Sequence, residues 1–289
     1  MTNTPCIYKS SEARARCLAV YAAALAHWPV PYEQIDVPTR FGSTRVVASG
    51  PVDAPPLVLL HGQWATAMMW APAVAALSRQ HRTLAVDQID DVGQSTPTRL
   101  PAGRPDYADW LADIWDQLRL DRADVAGLSY GGFLAANLAL RFPGRVSRLV
   151  LLCPGLPPLG PPTFRWALHG LPMMLWPNRL TAQWLVTGLS ANGYRAGDLE
   201  AEQLIADVLS LRSRVPIRPV FDEAEFAQLE MPVLLLIGSQ ETMYDARRAV
   251  EQARRLFPHL DVEILPNAGH MLLSDQPDAI GRVARFLQA

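Results

Sequence analysis

Gly127-Leu128-Ser129-Tyr130-Gly131-Gly132 decides how this chain folds. An apolar run (Ala123, Val125, Ala126, Leu128) ends in it, and a helical pattern from Phe133 to Leu140 leaves it. A strand, a sharp turn and a helix are predicted, with a serine at the apex. Glycines on both sides let two backbones pass where a Cβ would collide. The serine is held on a strained turn with its hydroxyl exposed, an arrangement suited to attack on a carbonyl carbon. Gly-x-Ser-x-Gly alone is weak evidence, because an ordinary strand-to-helix turn carries the same residues.

Apolar strands are expected on both sides of this turn. Leu57–Leu60 is fully apolar without alternation, the pattern of a strand buried on both faces of a parallel sheet; Thr83–Val86 and Arg148–Cys153 are further strands, and Val233–Ile237 is a second apolar one. Glu33–Val37 and Thr44–Ala48 flank a turn at Phe41-Gly42-Ser43, and Val262–Leu265 closes the series. Helical patterns alternate with the strands, at Ser10–His27, Met69–Arg79, Tyr107–Leu118, Asp245–Leu256 and Pro277–Leu287. Such alternation with short connections implies an α/β fold, with a mostly parallel sheet and helices on both faces.

The alternation breaks once. Residues 154–230 open with prolines and glycines and become apolar, aromatic and helical. A structureless loop of that length is improbable, so a helical cap inserted into a core of 1–153 and 231–289 is expected.

Three further motifs complete a reactive set. His270 follows the last strand, in Pro266-Asn267-Ala268-Gly269-His270. Imidazole titrates near neutrality and can take a serine proton and return it. Glu241 or Asp245, just beyond Val233–Ile237, can hold the imidazole tautomer. Glu241 is the favoured acid, because Asp245 stands where a helix N-cap is needed. His61-Gly62-Gln63-Trp64 follows the first buried strand, and the backbone N–H groups of Gln63 and Tyr130 are the expected donors to an oxyanion. Trp64 and the cap residues Trp166, Met173 and Met174 are the candidate substrate contacts, because such side chains commonly line pockets.

Composition removes other classes. The formal charge of −2 shows no basic excess to hold nucleic acid. No apolar segment approaches the ~20 residues of a membrane span. Cys6, Cys17 and Cys153 have no metal-ligand spacing and fit a reduced, cytoplasmic setting. Arg14 and Arg16 before an apolar stretch imitate a secretory leader. Glu12 and the helical stripe Leu18, Tyr21, Ala22, Leu25, Trp28 favour a packed helix instead. There is no phosphate-binding glycine fingerprint and no clustered metal set.

With His61-Gly62, Gly127-x-Ser129-x-Gly131-Gly132, Gly238-x-x-Glu241 and Gly269-His270 in this order, the chain resembles the α/β-hydrolase superfamily from about Pro31 to Ala289. Trp28-Pro29-Val30-Pro31-Tyr32, Phe41-Gly42-Ser43-Thr44, the Asp87-x-Ile89-x-Asp91-x-Gly93-x-Ser95 loop and Glu241-x-x-Tyr244-Asp245 are similar to bacterial carboxylesterases of the naproxen-esterase type. The resemblance implies hydrolysis of small carboxylic esters through a Ser–His–acid triad, without a cofactor. Many relatives carry Asp where Glu241 stands. Lactone, thioester or carbon–carbon bond hydrolysis on the same triad, or a receptor that keeps the triad, stay open at this stage. Nothing in the sequence bears on oligomeric state.

Overall fold

The computed structural model describes residues 6–193, 198–212 and 221–288. The chain begins with helix α1 (Ser11–Ala26), capped by the Ser10 hydroxyl, which accepts from the Ala13 N–H. Strands β1 (Tyr32–Thr39) and β2 (Gly42–Ser49) form an antiparallel hairpin, and β3 (Pro56–Leu60) starts the parallel part of the sheet. Helix α2 (Ala71–Leu77), β4 (Arg82–Val86), the two-residue β5 (Thr96–Pro97), α3 (Arg104–Gln117), β6 (Ala123–Leu128), α4 (Tyr130–Arg141) and β7 (Val146–Leu152) follow. Helices α5 (Phe164–Leu175), α6 (Arg179–Leu189), α7 (Leu199–Ser210) and the one-turn α8 (Glu223–Phe226) come next. The chain closes with β8 (Val233–Gly238), α9 (Ala246–Leu256), β9 (Leu260–Leu265), the short α10 (Leu272–Asp275) and α11 (Asp278–Gln288).

Among the described residues one nine-stranded sheet runs in the order β1-β2-β4-β3-β6-β7-β8-β9, with β5 paired to β2. Pairing is parallel from β4 through β9 and antiparallel only at the β1–β2–β4 edge and at β5. Successive side chains on a strand point to opposite faces, and that alternation divides the core in two. Val58, Leu60, Val125, Leu149, Leu151 and Leu235 pack with Trp110 and Ile114 of α3 and with α4 and α9. Leu57, Leu59, Ala126, Val150, Leu152 and Leu234 pack with Tyr21 and Leu25 of α1 and with α2 and α11. All these strand residues are fully buried, which explains why β3, β6, β7 and β8 read as continuous apolar runs.

The expected elements fall where the sequence placed them, with shifted ends. The helix expected from Met69 starts as a 3₁₀ turn at Ala67–Trp70 before α2, because Pro72 is suited to a first helical turn. The buried stripe of α1 is Ala13, Cys17, Tyr21 and Leu25; Leu18 is half-buried and Ala22 exposed. No helix among the described residues is long and apolar enough to cross a membrane.

Helices α5, α6 and α7 lie between β7 and β8 and carry a small core of their own. Ala182, Leu185, Val186 and Leu189 of α6 pack with Ala201, Leu204, Ile205 and Val208 of α7, and Met271 and Ala65 from the sheet loops join them. The ends of the 154–230 segment pack differently. Leu156 and Leu159 at its start, and Phe221, Phe226 and Leu229 at its end, lie in the main core.

Candidate active site

Every residue of the Ser129 turn has a job that its chemistry explains. Ser129 sits at φ 51°, ψ −114°, a conformation costly for a residue with a Cβ. Its N–H donates to Leu152 O (2.9 Å), and its carbonyl accepts from Gly155 N (2.8 Å), so the end of β7 and the segment just after it clamp the turn from both sides. A Cβ on Gly131 would lie 2.0 Å from Leu60 O, and one on Gly127 would lie 2.2 Å from Gly131 O. Only glycine lets the start of α4 approach β3 and β6 this closely. The serine hydroxyl makes no capping bond to α4, and it lines a cleft with Gly62, Gln63, Trp64, Trp166, Met243 and His270.

His270 reaches the same cleft from the loop after β9. One hydrogen bond ties that loop to the end of β8, Gln240 N donating to Ala268 O (2.8 Å), and the approach is so close that a Cβ on Gly238 would lie 2.3 Å from the same oxygen. Asp275 fixes it from the other side, accepting from Gly269 N (2.8 Å) and from Ala191 N (2.9 Å) at the end of α6. His270 Nδ1 pairs with Glu241 Oε2 at 2.8 Å. The Glu241 side chain is fully buried, and its other oxygen accepts from Thr242 N and Met243 N, both at 2.7 Å. Burial pushes the Glu241 carboxyl up, but the His270 imidazole and these hydrogen bonds outweigh it and hold the group below its usual range. With Nδ1 occupied by a carboxylate, Nε2 is the imidazole nitrogen left for the cleft.

The other acid is elsewhere. Asp245 caps α9, accepting from Arg248 N at 2.9 Å, and makes no contact with His270. The structure thus brings Ser129, His270 and Glu241 to one rim of the sheet and gives Asp245 a helix to cap.

The His61–Trp64 loop faces Ser129 closely enough that a Cβ on Gly62 would touch the serine Cβ at 3.4 Å. His61 is fully buried. Its Nδ1–H donates to Gly62 O (2.7 Å) and its Nε2 accepts from Gln88 N (3.1 Å). Burial lowers its pKa to about 4, so it is neutral and holds the loop in place. Two acids that sequence reading left without a role brace the same loop. Asp91 Oδ2 accepts from Trp64 N (2.7 Å), which holds Trp64 at φ 63°. Asp87 accepts from Ala67 N and Gln94 N, both at 2.8 Å. Their signal was the Asp-x-x-x-Asp spacing in the loop after β4.

Of the expected substrate contacts, Trp64 and Trp166 line the cleft, joined by Met69, Leu128, Leu189, Leu204, Met243 and Met271. Met173 and Met174 do not. Met173 points into the cap core and accepts from the Thr181 hydroxyl at 3.6 Å, while Met174, one position on, is turned to solvent and is 66% exposed. Neighbouring helical residues are ~100° apart around the axis, so one face cannot carry both into a cleft.

Cys153 directly follows β7 at φ 40°, and its sulfur lies within 4.8 Å of the Glu241 and His270 ligand atoms. The imidazole and carboxylate are already bonded to each other.

A buried serine elbow facing a carboxylate-bound imidazole can perform acyl transfer. The model of the alpha/beta hydrolase family matches residues 57–283. The chain belongs to that family. Carboxylesterase YbfK of Bacillus subtilis is 36% identical to this hydrolase over 97% of its length and 96% of the relative's. The crystal structure of carboxylesterase CesB (YbfK) from Bacillus subtilis superposes with a TM-score of 0.87, covering 96% of this chain and 98% of that one. The crystal structure of naproxen esterase (carboxylesterase NP) from Bacillus subtilis is 34% identical, with a TM-score of 0.88 over 96% of this chain and 99% of that one.

Proposed function

We propose that this hydrolase cleaves carboxylic esters through an acyl-serine intermediate. The observation that carries the reading is the 2.8 Å His270–Glu241 bond at the cleft that holds the strained Ser129. Ser129 Oγ attacks the ester carbonyl carbon while its proton passes to His270 Nε2. The carbonyl oxygen becomes an oxyanion held by the N–H groups of Gln63 and Tyr130. Tyr130 is the first residue of α4, where the helix dipole also favours negative charge. The tetrahedral intermediate collapses, the carbon–oxygen bond to the alcohol breaks, and His270 returns the proton to the departing oxygen. Water then attacks the acyl-serine and loses a proton to His270; the carbon–Oγ bond breaks as His270 passes that proton to Ser129, and the acid is released. Glu241 keeps Nδ1 protonated and stabilises the imidazolium that forms twice per cycle.

An apolar cleft wall of Trp64, Trp166, Met243 and Met271 supports esters with an apolar or aromatic part. The 36% identity to a carboxylesterase over nearly the whole chain supports the same substrate class. Helices α5–α7 form the lid of this site. Leu189 and Leu204 reach the cleft from α6 and α7, and the Leu189 carbonyl accepts from Met271 N (3.0 Å), beside His270.

The test is a panel of p-nitrophenyl esters set beside lactones, thioesters and diketones, assayed with the wild type and with Ser129→Ala. Preference for the simple esters, lost in Ser129→Ala, supports the reading. Faster turnover of any other class in the panel overturns the substrate assignment.

A further inference from the structure

A second cavity, of about 220 Å³, adjoins the Ser129 cleft. It lies between the C-terminal end of α1, the start of α2 and one face of α7. Exposed His27 and Pro72 mark its outer end, and Gln203 and Asp207, 5% and 0% exposed, mark its inner end. Met69, Leu204 and Met271 line this cavity and the cleft alike, so they form the wall between them. The cleft itself holds only about 50 Å³, against several hundred Å³ for a typical small-molecule site. Two of the three wall residues are methionines, whose unbranched side chains change shape at low cost. Rotation of those two side chains would thin this wall to Leu204.

The inner end of the cavity is polar in a specific way. Gln203 Nε2 donates to Asp207 Oδ1 (2.7 Å), and the Cys17 thiol from α1 donates to the same oxygen (3.0 Å). The remaining oxygens of the pair, Gln203 Oε1 and Asp207 Oδ2, are buried and have no hydrogen-bond partner among the described residues. Burial raises the Asp207 pKa to about 8, so the acid carries a proton at neutral pH. Its Oδ1 is engaged by two donors, which leaves the proton to Oδ2. The site thus offers one O–H donor and one bare carbonyl acceptor at the end of an apolar passage. A hydroxyl answers both, accepting from one and donating to the other, and a primary amide does the same. An alkyl terminus answers neither.

We propose that this cavity is a subsite for the distal part of the ester, and that it selects an apolar arm ending in a hydroxyl or a primary amide, with Gln203 and Asp207 as its partners. The proposal rests on the esterase reading of Ser129. The class of reaction that supplies such a substrate is therefore the acylation of, or by, a hydroxyl- or amide-terminated apolar molecule.

The experiment compares isosteric pairs, p-nitrophenyl ω-hydroxyalkanoates against the p-nitrophenyl alkanoates one methyl group longer in place of the hydroxyl, from four to ten carbons. A second series puts the same pair on the alcohol arm, as diol monoacetates against alkyl acetates. At one chain length in one series, kcat/KM for the hydroxyl-ended ester exceeds that of its partner by about tenfold, the effect of one net hydrogen bond. Gln203→Met lowers that ratio by about the same factor. Alkyl esters favoured at every length in both series, or a ratio unmoved by Gln203→Met, overturns the subsite. The wild-type ratios alone decide the matter if Gln203→Met does not fold. If the wild type hydrolyses neither p-nitrophenyl acetate nor any member of either series, the esterase reading itself fails and the subsite falls with it.

Discussion

Exchanging one oxygen of Glu241 for nitrogen tests how the imidazole is oriented. In the native protein Oε1 accepts from Thr242 N and Met243 N at 2.7 Å each, and Oε2 accepts from His270 Nδ1 at 2.8 Å. Glu241→Gln keeps the shape and loses one acceptor. Two backbone N–H groups demand an oxygen at the ε1 position, so the new NH₂ must face His270. An NH₂ can only donate, and Nδ1 must then become the acceptor. The imidazole proton moves to Nε2, the nitrogen that has to receive the serine proton. In serine proteases the equivalent change, with geometry preserved, lowers turnover about 10⁴-fold. That is about 5 kcal/mol of transition-state stabilisation. The same loss in kcat for p-nitrophenyl acetate is expected here, with little change in KM. Asp245→Asn is the control: asparagine caps a helix about as well as aspartate, so stability stays nearly unchanged and kcat stays within a few fold. A loss below tenfold for Glu241→Gln, or a crippled Asp245→Asn, refutes the assignment.

Three other changes have definite outcomes. Ser129→Gly abolishes activity but raises the melting temperature by a few degrees in calorimetry, because glycine accepts φ 51°, ψ −114° without the strain of roughly 1–3 kcal/mol that a Cβ incurs. Gly131→Ala destabilises the fold by more than about 3 kcal/mol in urea titration, since its Cβ would lie 2.0 Å from a backbone oxygen that cannot move aside. Asp207→Asn raises the melting temperature relative to wild type at pH 8 but not at pH 4. The native Asp207 pKa of about 8 lies above its unfolded value of about 3.9, so the native state binds the extra proton and stability falls as pH rises between the two.

What could be read from the sequence follows from how local each feature is. The Ser129 turn is written in six adjacent residues, because its two glycines each answer a single steric demand. Glu241 and His270 stand immediately beyond apolar strands, and parallel strands bring their carboxyl ends to one edge. The sequence pattern shows only Val262–Leu265 of β9, because this edge strand alternates between half-buried and exposed residues, so Leu260 and Asp261 look like loop. The cap residues carry a weaker signal. Their apolar character is evident, but the direction of each side chain depends on how α5 rolls against its neighbours, and that separates Trp166 from Met174. The crevice behind Met69 and Met271 had no local signature at all. Its polar end pairs Cys17 with Asp207, 190 residues away, and only the docking of α7 on α1 makes them neighbours.

Covalent labelling tests most directly whether Ser129 carries the reactive hydroxyl. Trypsin cuts after Arg122 and Arg141, which releases Ala123–Arg141 with Ser129 as its sole serine. After treatment with a fluorophosphonate, mass spectrometry is expected to find the label on this peptide alone, at a rate sharply reduced in Glu241→Gln and with no labelling in Ser129→Ala. Label on any other peptide, or undiminished labelling of Ser129→Ala, contradicts that role.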